Sequence, residues 1–398
     1  MQPLSNTRPL WIEVNLDALA HNIAEVRRVV GDDVLITAVV KANAYGHGSV
    51  QAAPVFLANG ADRLAVATIE EAIEIRKAGI TAPILILGAT ERPRARALVK
   101  WQLDQTIFTR ASAEALSEAA QDLGSPARIH IAVDTGMGRI GFLPTEESLD
   151  EIEEILQLPG LEFEGLFSHF STADEADKTY SREQIRRYKF FQEGLAARGL
   201  VPHVAHMANS AAISDLPEIH MDMVRAGIIL YGLYPSHEVD ETKLDLQPTL
   251  ALKCRITNLK TLQDGEYIGY GRKYQTKGSR RIATCPMGYA DGYTRLLSNK
   301  AEVLVHGHRA PVVGNICMDQ CMIDVTDIPE DLAIGDEVVL IGRQGDEVIS
   351  PEELANILGT ISYEIFCMLS RRIPRTYFKD GALVENCNYL YNTTENPE

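Results

Sequence analysis

Val34-Leu35-Ile36-Thr37-Ala38-Val39-Val40 runs directly into Lys41-Ala42-Asn43-Ala44-Tyr45-Gly46-His47-Gly48, and the character of the first seven residues decides the fold. An unbroken β-branched and apolar run of strand length, with no polar residue on alternate positions, describes a strand buried on both faces. Such strands belong to parallel sheets, whose crossover helices cover both sides. A parallel sheet needs repeats of the same unit, and seven further short apolar runs follow: residues 64–67, 84–87, 105–108, 129–133, 161–168, 203–206 and 221–225.

Amphipathic stretches separate these runs. In residues 69–78, Ile69, Ala72, Ile73 and Arg76 follow three-and-four spacing, and Gly79 supplies a C-terminal stop. Ser181 and Gln184 read as a capping box ahead of a helix carrying Ile185, Tyr188 and Leu195. Asn15 reads as the N-cap of a helix before the first strand, with Leu16, Leu19, Ile23 and Val26 on one face. Glu146, Glu147, Asp150, Glu151, Glu153 and Glu154 read as the solvated face of another helix. Eight strand–helix repeats in roughly 230 residues fit a closed (β/α)8 barrel of the TIM type, for which ~250 residues is usual, better than an open doubly wound sheet.

The texture changes after Tyr234. Residues 240–248 are polar and unpatterned, and then Leu250, Leu252, Cys254 and Ile256 alternate with polar neighbours as in a half-buried strand. Strand-like pieces at 301–305, 322–325 and 337–341, with one helical pattern at 351–361, complete a mainly antiparallel β domain. The expected division is residues 1–240 for the barrel and 241–398 for the β domain.

The chain has 398 residues and carries 55 acidic against 38 basic side chains, a net charge of −17, which disfavours a nucleic acid or an anionic membrane as partner. No apolar stretch is long enough to span a bilayer, and the opening residues lack the order of a secretory leader, so the expectation is a cytoplasmic protein. Six cysteines without C-x-x-C spacing read as free thiols, and no metal site is expected.

In such a barrel the reacting groups sit at the carboxyl ends of the strands. The strand ends here are Lys41; Asp134-Thr135-Gly136-Met137-Gly138-Arg139; Ser168-His169-Phe170; His206 leading to Asn209-Ser210; and Arg225 before Gly227-Ile228. A lysine desolvated at a strand end has a lowered pKa and can condense with a carbonyl. Ser210, Gly227 and Ile228 suit a phosphate. These parts fit an aldehyde cofactor bearing a phosphate, and equally a metal-free aldolase that forms an imine with a sugar phosphate.

The segments Ala38 to Gly48, Asp134 to Gly141, Ser168-His169-Phe170, His206 to Ser210, and Val224 to Ile228 with Tyr231-Gly232 resemble the alanine racemase family. So do Gly288-Tyr289-Ala290-Asp291-Gly292-Tyr293 and Val313 to Gln320 in the second domain. The resemblance implies a pyridoxal 5'-phosphate (PLP) barrel, a β domain, and a homodimer whose sites each borrow residues from the partner. It implies reversible conversion of L-alanine and D-alanine, the source of D-alanine for peptidoglycan, with a racemase of broader substrate range as the alternative. By position, Lys41 would attach the cofactor and act as one base, and Tyr289 of the partner subunit would act on the opposite face of Cα. His169 and Arg225 would favour the phenolate, with Arg225 at the pyridine nitrogen. Tyr45, Ser210, Gly227 and Ile228 would hold the cofactor's phosphate and Arg139 its phenolic oxygen, with Asn209 and His169 also among the cofactor-binding residues. Arg139 and the backbone N–H of Met318 would hold the substrate carboxylate, and Asp319 could lie near Tyr289. His206 would support by hydrogen bonding.

Two positions depart from the family pattern. Ala132 stands where several members carry a lysine that fixes the arginine, so Arg139 would need another anion. Arg371 stands where many carry a tyrosine at the phosphate and entry gate. The β domain and Tyr289 argue against a non-catalytic PLP-binding barrel, and the Gly-Tyr-Ala-Asp-Gly motif with Arg225, in place of a glutamate, at the pyridine nitrogen position argues against a related decarboxylase.

Overall fold

The computed structural model describes residues 8–391. Residues 1–7, part of the stretch read above as lacking a leader, and residues 392–398 lie outside the described set.

The chain divides into two compact units. One comprises residues 18–44 and 48–248. After β1 (Leu10–Asn15), its eight strands are β2 (Leu35–Val39), β3 (Arg63–Val66), β4 (Ile84–Ile86), β5 (Asp104–Ile107), β6 (Ala127–Ala132), β7 (Leu161–Phe167), β8 (Val204–His206) and β9 (Met223–Ala226). They pair in the order β8-β7-β6-β5-β4-β3-β2-β9, each ladder parallel. The ends of that path meet where Asp222 N donates to Ala205 O (3.3 Å) and Arg225 N to Ala208 O (2.9 Å), which closes the barrel. All eight runs anticipated from sequence are strands.

The helices follow local chemistry. Asn15 Oδ1 accepts from Asp17 N (3.0 Å) at the start of Leu16–Val30, whose Leu19, Ile23 and Val26 are buried. Thr68 and Glu71 make a capping box for Ile69–Lys77. The acidic helix Glu146–Leu156 buries only Leu149, Ile152 and Ile155, and its outer Asp150 and Glu153 pair with Arg198. One expectation fails: the helix Thr179–Ala197 starts before Ser181, and both Ser181 and Gln184 are fully buried inside it. Gln184 is no cap. It is a tie between strand-end loops, described below.

The second unit comprises residues up to Asp17, Tyr45–His47 and residues from Thr249 onward. Its main sheet includes β1, pairing antiparallel with Leu250–Arg255 and parallel with Arg375–Lys379. A three-stranded antiparallel sheet holds Asn258–Leu262, Arg280–Cys285 and Cys321–Asp324. The expected division at 240 therefore misplaces the N-terminal strand: β1 lies outside the barrel, because its register partners, from Cys254 to Leu250, are more than 230 positions away. Among the described residues all six cysteines are free thiols, no cluster of His, Cys, Asp or Glu could hold a metal ion, and no helix is long and apolar enough to cross a membrane.

Candidate active site

Lys41 stands half-buried immediately beyond β2. The backbone after it is left-handed through Ala42 (φ 51°), Asn43 (55°), Ala44 (52°) and Tyr45 (51°). Each non-glycine residue in that conformation costs about 1–2 kcal/mol, so the turn must be held. Glu71 holds it from the capping box next door, where its carboxylate accepts from Ala42 N (2.6 Å), Ala67 N (2.8 Å) and Thr68 N (3.2 Å). Asn43 adds two bonds, accepting from Gly48 N at its carbonyl (2.9 Å) and from Ser49 N at its side chain (3.1 Å). Strain concentrated beside one side chain and clamped by its surroundings is a mark of a functional site.

Arg225, on β9, is 4% exposed. Its NH1 donates to His206 Nδ1 (2.7 Å) and to the His206 carbonyl (3.2 Å). Its NH2 donates to the carbonyls of Ser168 (2.7 Å) and Met207 (3.2 Å) and to His169 Nδ1 (3.2 Å). None of these bonds uses Nε–H, which leaves one donor for a ligand. Burial lowers this guanidinium to about 10, still charged at neutral pH. His169 is pushed down to about 3, first by burial and then by Arg225, Arg139 and Lys41. With Nδ1 accepting from Arg225, neutral His169 carries its proton on Nε2 and can donate it onward. Three cations facing one neutral imidazole make this rim a receptor for anions, against the acidic balance of the whole chain.

The Asp134–Arg139 loop is built to present its arginine. Asp134 Oδ1 accepts from Gly136 N (2.9 Å) and Gly138 N (3.0 Å), and Tyr180 Oη donates to Gly136 O (3.0 Å). Gln184 Nε2 donates to Thr135 Oγ1 (3.3 Å) and His169 O (3.0 Å), while its Oε1 accepts from Ser171 N (3.0 Å), so one buried amide joins the loops after β6 and β7. Arg139 is exposed and has no bond to any described residue; Ala132, at the end of β6, is buried and offers only a methyl group. Beyond β8 and β9, Asn209 caps the short helix Ser210–Asp215, and Ser210 Oγ accepts from Gly227 N (2.9 Å). Gly227 N is thus engaged with Ser210 rather than open, and Ile228 begins the next 3-10 turn.

In the β unit, Tyr45 is buried with its ring 6.3 Å from that of Tyr363, and burial pushes its phenol up, so it stays protonated. Tyr289 begins a 3-10 turn docked on another loop: its N donates to Cys317 O (3.1 Å), and Ala290 N donates to Met318 O (3.0 Å). A Cβ at Gly288 would come within 2.3 Å of both those carbonyl oxygens. Asp319 is paired with Arg372 (2.6 Å), and Arg372 also pairs with buried Asp291 (2.8 Å). Arg371 lies over the ring of Tyr389 at 5.1 Å.

Tyr270, a further exposed phenol of the β unit, was not singled out from the sequence. It is 68% exposed, against 42% for Tyr289 and 53% for Met318. Left-handed Gly269 (φ 72°), Gly271 (71°) and Arg272 (51°) surround it, and Asn315 Nδ2 donates to its carbonyl (2.7 Å). Tyr270, Tyr289 and Met318 are therefore carried by, or docked on, the single Val313–Gln320 loop. The signal that could have found Tyr270 is an aromatic between two glycines in Gly269-Tyr270-Gly271.

The chain matches the family models for the alanine racemase N-terminal domain over residues 14–235 and the alanine racemase C-terminal domain over 249–377. It is 51% identical over 383 residues to alanine racemase 1 of Clostridium acetobutylicum, covering 96% of this chain and 99% of that one. It is 52% identical to an alanine racemase of Clostridium perfringens over the same shares. Among solved structures, that of alanine racemase from Clostridium difficile 630 superposes with a TM-score of 0.93 at 44% identity, covering 97% of this chain and 100% of that one. A histidine racemase from Leuconostoc mesenteroides matches at 31% identity and a TM-score of 0.86, over 94% and 99% of the two chains.

Proposed function

Since the chain belongs to the alanine racemase family, an isomerase family that depends on PLP, we propose that it interconverts L- and D-alanine with the residues at the barrel rim. The donor set fits the cofactor: a half-buried lysine, an arginine with Nε–H to give, and cations grouped around one neutral histidine. Bound there, PLP would supply the electron sink that acidifies the substrate Cα–H.

The protein's part is to place and move protons. Lys41 Nζ is the base on one face of Cα. Arg225 can only donate hydrogen bonds near neutral pH, because even at about 10 its guanidinium keeps its proton. What faces its Nε therefore gains a hydrogen bond and not a proton, which keeps the sink weak and disfavours side reactions. Ser210, Asn209, Gly227, Ile228 and Tyr45 are proposed for the phosphate end, Arg139 for the phenolic oxygen and the substrate carboxylate, and the Met318 N–H of a second copy for that carboxylate.

A second base is required on the opposite face, since one base cannot reach both without swinging round a planar carbon. We assign it to a phenol of the β unit from a partner subunit, with His169 Nε2–H as the donor that favours its phenolate. Two phenols compete. The Tyr289 turn is pinned through its own N–H to Cys317 and through Ala290 to Met318, a placement suited to shaping the carboxylate loop. Tyr270 is more exposed and sits on a turn with three left-handed residues, so it is the better candidate for the base.

The observation that carries the reading is the Arg225 fan joining His206, Ser168 and His169 beside Lys41, in a chain with full-length identity to alanine racemases. The test is loss of optical rotation across L-amino acids. Alanine is expected to lose rotation at least about a hundredfold faster than histidine, serine or arginine, which asks about 2.7 kcal/mol of the pocket. Equal rates across the panel would favour the broader racemase, and no loss with any of them would end the assignment.

A further inference from the structure

Inside the barrel a line of buried side chains runs from Arg225 on β9 away from the rim. His206 on β8, which accepts from Arg225 at Nδ1, places its Nε2 3.0 Å from Nδ1 of His130 on β6. The far side of the His130 ring, Nε2, has no hydrogen-bond partner among the described residues, and Asp104 Oδ2 on β5 lies 4.0 Å away. Both imidazoles are 0% exposed and Asp104 is 1% exposed. Asp104 is itself fixed by Arg128 Nε (2.7 Å), with Arg63 at 3.9 Å. Phe167 stacks on His206 at 5.0 Å, nearly parallel, which fixes the ring plane.

β7 lies between β6 and β8, and the residue of β7 in register with His130 is Gly165. A Cβ there would fall 2.0 Å from His130 Nδ1. The missing side chain makes the space in which the two rings meet, so the contact is built into the sheet.

Two chemically fixed ends set the proton positions along this line. Arg225 can only donate, so His206 Nδ1 must be bare and its proton must sit on Nε2. That proton goes to His130 Nδ1, which must then be bare, so the His130 proton sits on Nε2, facing the carboxylate at a separation that one water or a small shift bridges. Charging either ring would set an N–H against a donor. Burial and the surrounding Arg63, Arg128 and Arg225 keep both rings neutral.

We propose that His130, oriented by Asp104, is a positioning residue for Arg225: it locks the tautomer of His206 that accepts from the guanidinium and so fixes the direction of the Arg225 Nε–H. This rests on the assignment of Arg225 to the site. Without His130, the imidazole of His206 is free to take the Nδ1–H form, which cannot accept from NH1, and the fan loses its shortest ring contact.

The test compares His130→Leu with His130→Gln in the PLP-loaded enzyme. The Gln side-chain carbonyl can accept the His206 Nε2 proton, and the Leu side chain cannot. The expected result is a fall in kcat of about tenfold for His130→Leu, the worth of one hydrogen bond, with the KM for alanine within about twofold. A shifted absorption band of the bound cofactor is expected as well, and near-normal values of all three for His130→Gln. In ¹⁵N-histidine spectra His206 is expected as the pure Nε2–H form in wild type and as a mixture in His130→Leu. If His130→Leu does not fold, Gly165→Ala displaces the same ring and is read in the same way. A folded variant with unchanged kcat, band and His206 tautomer would overturn the proposal, as would a His130→Gln enzyme no better than His130→Leu. The tautomer readout needs no turnover, so it separates failure of the chain from failure of the racemase assignment.

Discussion

Lowering the pH from 7.5 to 5.0 should destabilise this protein through histidines that the barrel holds neutral. His130 and His169 are pushed down to about 3, in each case first by burial and then by neighbouring cations, and His206 is lowered well below its ordinary value, first by burial and then by Arg225. A group whose folded pKa lies below its unfolded value contributes stability that is complete above the unfolded value, near 6.5, and lost as pH falls toward the folded one. At pH 5.0 the unfolded chain binds a proton at each of these sites and the folded one does not, a cost of about 2 kcal/mol per ring. Asp104 opposes this. Raised to about 6, mainly by burial, it is protonated more readily in the folded protein and returns about 1.4 kcal/mol at pH 5.0. The net loss is on the order of 3–5 kcal/mol. Urea unfolding followed by far-UV circular dichroism, at one fixed cofactor concentration, measures it across the pH series. The midpoint should fall steadily below pH 6.5, and His130→Gln should reduce the slope by about one proton. A midpoint that is flat or rises on acidification would refute the assignment of neutral, buried imidazoles.

Three substitutions probe the supports of the site. Gln184→Leu leaves the partners of one buried amide unpaired at Thr135, His169 and Ser171, and should cost at least about 2 kcal/mol in urea unfolding; a change under about 0.5 kcal/mol would mean those bonds contribute nothing. Glu71→Ala removes the acceptor for three backbone N–H groups around the left-handed turn after Lys41. It should weaken PLP retention about tenfold by equilibrium dialysis, and unchanged retention would show that the turn holds itself. Gly288→Ala places a Cβ 2.3 Å from the Cys317 and Met318 carbonyl oxygens. Movement of that loop should raise the KM for alanine about tenfold with kcat less affected, the loss of one carboxylate hydrogen bond, and an unchanged KM would remove Met318 from carboxylate binding.

The barrel was legible because strands buried on both faces carry their signal locally, in short β-branched runs between amphipathic helices. β1 was not, because what makes Leu10–Asn15 a strand is its pairing with Leu250–Arg255 and Arg375–Lys379, distant in sequence. Ser181 and Gln184 had the spacing of a cap but belong to a helix that starts at Thr179, where burial converts the glutamine into a tie between loops. The left-handed turn at Ala42–Tyr45 was invisible for a different reason: alanine and tyrosine do not announce positive φ, and the turn exists because Glu71, some thirty positions on, accepts its first N–H. Lys41, His169 and Arg225 were legible as polar residues terminating apolar strands. Tyr270 was not singled out because nothing local in the sequence ties it to the Val313–Gln320 loop; its exposure and its bond from Asn315 set it beside Met318.

Two bases, Lys41 Nζ and a phenol from the partner subunit, are proposed to work on opposite faces of one carbon. Incubating Tyr270→Phe with L-alanine and with D-alanine in D2O, and following deuterium at Cα together with optical rotation, tests it most directly. One enantiomer is expected still to exchange its α-proton through Lys41 while racemisation falls by at least about a hundredfold, with Tyr289→Phe much less affected. A Tyr270→Phe enzyme that exchanges and racemises both enantiomers at the wild-type rate would contradict the assignment to Tyr270. The same result in both tyrosine variants would contradict the two-base account itself.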